Sequence, residues 1–251
     1  MSISDSKTVK KVAIVTGVSR GLGEFLAATL LDHGYDVIGV GRSSAARLAG
    51  RRYAFVHCDF ADIAGIDSAL EPSFRSIAAS GPRSVCLINN AATAEPVGVL
   101  GALDASEIAH SLGVNLVGPV VVANLFCRVF TDNAIERRII NVSSGAAQSG
   151  IAGGGTYSIA KAGLEMLTKQ LVADLRTPTL RAITVRPGII DTGMQVLMRT
   201  QPDAVLPSAA MFREFHESGQ LVAPADAAAK IVAKLVLADV EQGRTYSYKE
   251  L

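Results

Sequence analysis

The stretch Thr16–Gly23, "TGVSRGLG", spaces three glycines as G-x-x-x-G-x-G between an apolar run and an apolar-periodic segment. Gly17 closes the run "VAIVTG" (Val12–Gly17), and Gly23 opens "GEFLAATLLDH" (Gly23–His33). Amides at a helix N-terminus lack intrahelical acceptors and carry partial positive charge, so a strand–loop–helix junction suits a pyrophosphate. Glycine allows the turn and lets a phosphate approach the backbone. An ordinary tight turn would use the same residues, so the reading depends on what surrounds the loop.

The surroundings repeat the pattern. Further short apolar runs are "DVIGVG" (Asp36–Gly41), "AFVHCDF" (Ala54–Phe60), "VCLINNA" (Val85–Ala91), "RIINVSS" (Arg138–Ser144), "AITVRPG" (Ala182–Gly188) and "TYSY" (Thr245–Tyr248). Most are Val- and Ile-rich and apolar throughout, as parallel strands buried on both faces should be. Helical periods lie between them, at Gly23–His33, Ile63–Ala79, a long segment opened by an Asp104–Glu107 capping box, Ser158–Arg176, and Asp226–Leu237 behind Pro224. This alternation predicts one doubly wound α/β domain over residues 1–251, with no linker or repeat.

Composition excludes several classes. The 251 residues carry a formal net charge of +1 with mixed signs, which gives no general attraction to nucleic acid or anionic membrane. Cys58, Cys86 and Cys127 are widely spaced and form no C-x-x-C, so neither a metal site nor a disulfide framework is expected. The polar N-terminus lacks a signal core, and no apolar run reads as membrane-spanning. The expectation is a cytoplasmic protein with a small-molecule partner.

The chemically distinctive residues fall at the carboxyl ends of the predicted strands. Arg42 follows the second, Asp59 ends the third, Asn89 and Asn90 the fourth, Ser143 and Ser144 the fifth, and Pro187 and Gly188 the sixth. That edge of an open parallel sheet is where ligands bind. Tyr157 and Lys161 are four apart and share one helical face.

From end to end the chain resembles the short-chain dehydrogenases/reductases, through "TGVSRGLG", "CDF", "NNAA", "VN" (Val114–Asn115), "NVSS", "YSIAK" (Tyr157–Lys161) and "RPGIIDT" (Arg186–Thr192). The resemblance implies a single-domain Rossmann fold with a seven-stranded parallel sheet of order 3-2-1-4-5-6-7. It also implies a catalytic set of Asn115, Ser144, Tyr157 and Lys161. Family members place the serine thirteen residues before the tyrosine, which selects Ser144; Ser143 then points the other way. Asn115 is expected to hold a water that links Lys161 to solvent.

The chemistry such a set performs is carbonyl reduction, with the hydride from a cofactor and the proton and orientation from the protein. A tyrosine of ordinary pKa is a poor partner for reversible proton transfer near neutrality. Lys161 and an oxidised nicotinamide are expected to lower it, and Ser144 to hold the substrate oxygen. Gly17, Ser19, Arg20, Gly21, Leu22 and Gly23 are assigned to the dinucleotide. Asp59 is expected to accept from the adenine amine with Phe60 alongside, and Asn89 and Ala91 to line the adenosine ribose. Pro187, Gly188, Ile190 and Thr192 fall on the nicotinamide side, with Tyr157 and Lys161.

A carboxylate after the second strand would select NAD; here "GVGRSS" supplies Arg42, and the glycine loop supplies Arg20. Two guanidiniums suit a ribose 2′-phosphate, which favours NADP(H), although both would serve equally as surface charges. Residues 193–223 hold Met194, Leu197, Met198, Leu206, Phe212 and other apolar side chains, and are expected to cover an apolar substrate. Their Pro and Gly content points to ordering on binding.

Within the family, "SSGAAQSG", "DTGMQ" and "FREFHESGQLVAP" are similar to sepiapterin reductases and bacterial benzil reductases. This implies an NADPH-dependent reductase of a hydrophobic or aromatic ketone or α-diketone, in a homodimer or homotetramer. Oxidation of a secondary alcohol, and a non-catalytic NADP-binding regulator, are the other readings. Ala92 replaces a usual glycine, and "AGGGTY" (Ala152–Tyr157) lacks a Trp common in that group, predicting a wider, softer pocket wall. The tail "YSYKEL" offers Ser247 and Glu250 with no evident substrate anchor.

Overall fold

The apolar runs pair in parallel into one seven-stranded sheet. The computed structural model describes residues 10–175 and 177–251. The strands are β1 (Lys11–Thr16), β2 (Asp36–Gly41), β3 (Tyr53–His57), β4 (Ser84–Asn89), β5 (Glu136–Val142), β6 (Leu180–Arg186) and β7 (Thr245–Ser247). Their order is β3-β2-β1-β4-β5-β6-β7, every pair parallel. The helices are α1 (Gly21–Asp32), α2 (Gly65–Ala79), α3 (Ala105–Leu112), α4 (Gly118–Val129), α5 (Gly155–Asp174), α6 (Gly193–Arg199), α7 (Ala209–Glu217) and α8 (Pro224–Ile231).

Period-two alternation gives each strand two apolar faces. Ala13 and Val15 of β1 pack with Leu26 and Leu30 of α1 and Ile231 of α8. Val12 and Ile14 face the other way, with Leu70 and Phe74 of α2 and Phe126 of α4. Burial on both sides explains why these strands read as continuous apolar runs. Phe74, Phe126 and Phe130 form one aromatic cluster with centroids 4.8–6.4 Å apart.

Several expectations need correction. Asp104 sits at the N-cap of α3, but its side chain makes no capping bond, so the capping box does not form. A π-turn (Gly113–Val117) joins α3 to α4, and the continuous run Ala105–Val129 is 25 residues long and apolar enough, by length and composition alone, to cross a membrane. Its apolar face packs on the sheet and on α2, as a core helix does. α5 begins three residues before Ser158, at Gly155. Arg176, the expected end of that helix, lies outside the described residues, as does most of the polar N-terminus.

Residues 193–223 carry α6 and α7. Met198, Leu206 and Ala209 form a third apolar cluster with Ala94, joined by Val97 and Phe212. Gln195 ties the two helices of this segment together, donating to the Phe212 carbonyl at 2.8 Å and accepting from Arg199.

Candidate active site

The sheet order reverses between β1 and β4, and the loops leaving these strands part there. Thr16 and Asn90 brace the resulting groove. Thr16 Oγ1 accepts from the Asn90 and Ala91 amides at 2.9 Å, and Asn90 Nδ2 donates to the Thr16 carbonyl at 2.9 Å and the Gly17 carbonyl at 3.3 Å. Asn89 does not line the groove as expected. It is buried, and its amide donates to Asn141 on the neighbouring strand. Sequence reasoning could not separate two adjacent asparagines; strand alternation sends one into the sheet and leaves the other at the loop.

The glycine loop is a cradle with no room for side chains. A Cβ on Gly23 would lie 2.1 Å from the Gly17 carbonyl and 2.4 Å from Asn90 Nδ2. Arg20 is the N-cap of α1 and gives no side-chain cap, so the first-turn amides of Gly21, Leu22 and Gly23 receive no side-chain acceptor. The Leu22 side chain is buried, which leaves its amide as the group it can offer the loop. A Cβ on Gly21 would lie 3.2 Å from Thr192 Cγ2, so the loop after β6 closes on the glycine loop from across the groove. This donor set and this clearance fit a dinucleotide pyrophosphate.

Around that cradle the expected residues separate. Ser19, Arg20 and Arg42 are exposed, and among the described residues neither arginine joins an ion pair. Asp59 lies two residues past the end of β3 and accepts from the Ala61 amide at 3.0 Å. Phe60 does not stand free beside it: its ring is buried in the core against Gly118. Pro187 is buried, and Tyr248 from the C-terminal turn packs against Gly188. Ile190 bridges Val222 through the Ile189 carbonyl and the Asp191 amide, which leaves its own N–H and C=O out of that pair. Ala92 adopts no positive φ, so its methyl is tolerated.

Tyr157, Lys161 and Ser144 meet at the carboxyl edge. Tyr157 and Lys161 lie one turn apart on α5, with Lys161 Nζ 5.5 Å from the phenol ring centre. Ser144 lies near enough to the phenol to pull its pKa down, and its hydroxyl accepts from the Ala146 amide at 3.2 Å. Ser143 points away, donating to the Lys161 carbonyl at 3.2 Å and to Glu165 at 2.9 Å. Lys161 is 2% exposed, and its ammonium donates to the Val142 carbonyl at 2.8 Å.

Burial controls both ionisations. It pushes the Tyr157 phenol up to about 12, against a smaller downward pull from Ser144. It pushes Lys161 down to about 8. The expected lowering of Tyr157 by Lys161 is therefore not a property of the protein alone.

Asn115 lies where α3 passes into α4. It is fully buried in the π-turn; its Oδ1 accepts from the Thr93 amide at 2.8 Å, and its Nδ2 donates to the Thr93 carbonyl and to Ser111. The side chain thereby fixes the Thr93 loop.

The "AGGGTY" wall is closed rather than soft. A Cβ on Gly153 would lie 2.9 Å from Leu206 Cα, Leu206 Cδ1 and Pro207 Cδ, and Leu103 approaches Gly155. Ser247 and Glu250 bond each other in a C-terminal capping box, and Glu250 also accepts from Arg244. Among the described residues, no group of three or more His, Cys, Asp or Glu side chains is placed to hold a metal.

Residues 11–203 match the family model described as short chain dehydrogenase. The chain is a short-chain dehydrogenase. It is 28% identical over 239 residues to a benzil reductase, (S)-benzoin forming, of Bacillus subtilis (strain 168), covering 94% of this chain and 98% of that one. It is 29% identical over 241 residues to the sepiapterin reductase of Mus musculus, covering 89% and 91%. The crystal structure of the KRED1-Pglu enzyme superposes with a TM-score of 0.79 at 27% identity, covering 94% of this dehydrogenase and all of that chain. The chain is therefore an oxidoreductase on an NAD(P)-binding fold.

Proposed function

We propose that this short-chain dehydrogenase is an NADPH-dependent reductase of hydrophobic or aromatic ketones and α-diketones. The observation that carries the reading is the Tyr157–Ser144–Lys161 cluster beside an apolar cover made by Met198, Leu206 and their neighbours. The full-length likeness to benzil reductase supports an aromatic vicinal dicarbonyl. A bound NADPH supplies the hydride.

The chain's own residues do the rest. Gly21, Leu22 and Gly23 amides hold the pyrophosphate, and unpaired Arg20 and Arg42 take the 2′-phosphate. Ile190 main chain and Thr192 face the carboxamide side. The two Lys161 protons not engaged by Val142 are available to ribose hydroxyls. Ser144 orients the carbonyl oxygen, and Tyr157, protonated at neutral pH, delivers its proton there. Three free cysteines suit a reducing cytoplasm. Exposed Val117, Val120, Ile159 and Met166 suit a homodimer or homotetramer.

A carbonyl panel including benzil, assayed by absorbance with NADPH and NADH side by side, tests the reading. Turnover of benzil-like diketones with NADPH preferred is expected. Tight NADPH binding with no turnover would establish a regulator, and activity only on secondary alcohols would reverse the direction.

A further inference from the structure

Glu165 follows Lys161 by one turn of α5, so residues 157, 161 and 165 form one stripe. That stripe faces the sheet, and a carboxylate there requires partners. Glu165 has them on two strands. Its Oε1 accepts from Ser143 Oγ at 2.9 Å and from Arg186 Nε at 2.8 Å, and its Oε2 accepts from Arg186 Nη2 at 2.7 Å. The side chains of Glu165 and Arg186 are only 15% and 21% exposed, so the two-pronged pair is shielded from solvent.

Each partner adjoins a part of the site. Ser143 precedes Ser144, and its hydroxyl also donates to the Lys161 carbonyl. Arg186 precedes Pro187 and Gly188, on the expected nicotinamide side. One carboxylate thus joins the end of β5, the Lys161 turn of α5 and the end of β6. It bonds neither the Tyr157 hydroxyl nor Lys161 Nζ, so it has no direct share in proton transfer.

We propose that Glu165 is a positioning residue, the link that sets Ser144, Lys161 and the Pro187–Gly188 loop in mutual register. The proposal rests on the reductase reading for its kinetic consequence and on geometry for the rest. Catalytic groups lose about a hundredfold in rate when misplaced by about 1 Å, and a shared anchor under three segments is where such precision is lost together.

Glu165→Gln keeps the shape and removes the charge and the fork. The expected result is a kcat at least tenfold lower, with the Kd for NADPH raised by a clearly smaller factor. Ser143→Ala, which removes one bond to the same carboxylate, is expected to give a smaller loss; the double variant should lose less than the product of the two. If Glu165→Gln does not fold, Ser143→Ala alone decides. A kcat within twofold of wild type, or a Kd that rises in step with the loss of kcat, overturns the proposal. A crystal structure of the variant gives an independent readout. The Lys161 Nζ–Val142 contact, 2.8 Å here, should lengthen by more than about 0.5 Å, and an unchanged contact overturns the proposal. Should the wild type reduce no carbonyl, the proposed function fails, and this distance still decides the role of Glu165.

Discussion

Lys161 Nζ lies 5.5 Å from the centre of the Tyr157 ring and donates to the Val142 carbonyl, so one strand end sets the distance between a buried ammonium and a phenol. The phenol is raised to about 12 and the ammonium lowered to about 8. Removing the phenol's oxygen leaves the groove intact. Tyr157→Phe should therefore lose at least a hundredfold in kcat, within the range of general acid catalysis, while NADPH Kd stays within a few-fold. Stopped-flow turnover and fluorescence titration check the two halves. Rate surviving the change would reassign the acid.

The lowered lysine has a stability consequence with a definite sign. Its folded pKa of about 8 lies below its ordinary 10.5, so the folded state holds the charge at a cost below pH 8. As pH rises from about 8 to 10.5 the unfolded chain binds more protons than the folded one, and that cost disappears. Lys161→Met should therefore be more stable than wild type at pH 7, by at most about 3 kcal/mol at 1.36 kcal/mol per pKa unit. The difference should shrink towards pH 10 while activity is lost at every pH. Urea unfolding of both proteins at pH 7 and pH 10 measures it. A difference that does not fall with pH would place the buried charge elsewhere.

Gly23 tests the cradle. A methyl there meets a carbonyl at 2.1 Å, and the obstacle is backbone, which cannot rotate away. Gly23→Ala should cost about 1–3 kcal/mol of stability, as overpacking does, and abolish dinucleotide binding. Gly150→Ala, where nothing lies within 4 Å, is the matched control and should change neither. Thermal melts with and without NADPH separate the two effects: the wild type and the control should gain stability from the cofactor, and Gly23→Ala should not.

Arg20 and Arg42 test the cofactor reading. Charge-assisted bonds contribute about 1.5–3 kcal/mol each, so Arg42→Ala should raise the KM for NADPH roughly ten- to hundredfold and leave that for NADH unchanged. Equal losses with both cofactors would mean that the arginines do not meet a 2′-phosphate.

The central strands were legible because a strand buried on both faces leaves an uninterrupted apolar run, whereas the sheet order came from the family resemblance. Strand ends shifted by up to three residues, as at "AFVHCDF", where β3 stops at His57 and leaves Asp59 in the loop. The Tyr157–Lys161 pair was legible from spacing, and Ser144 from the family distance. What failed concerned direction and partners. The Asn89 and Phe60 side chains turn inward. Glu165 was missed altogether, although a lone carboxylate among Lys161, Leu164 and Thr168 on the buried stripe was a usable signal. Its meaning depended on Arg186 and Ser143, which only the fold brings near.

Gly153 joins the cover to the catalytic helix. Its φ of +79° disfavours any side chain, and a Cβ would press on Leu206 and Pro207 at 2.9 Å. The Ser208 amide also donates to the Ala152 carbonyl, so main chain seats the segment here beside its apolar cluster. Gly153→Ala would lift this seat while leaving the glycine loop, Arg20 and Arg42 untouched. The expected outcome is a KM for benzil raised at least tenfold, an unchanged Kd for NADPH, and a smaller effect on a compact diketone that needs less cover. Steady-state kinetics with the two carbonyls decide it, because a wall that only fills space would affect both substrates alike.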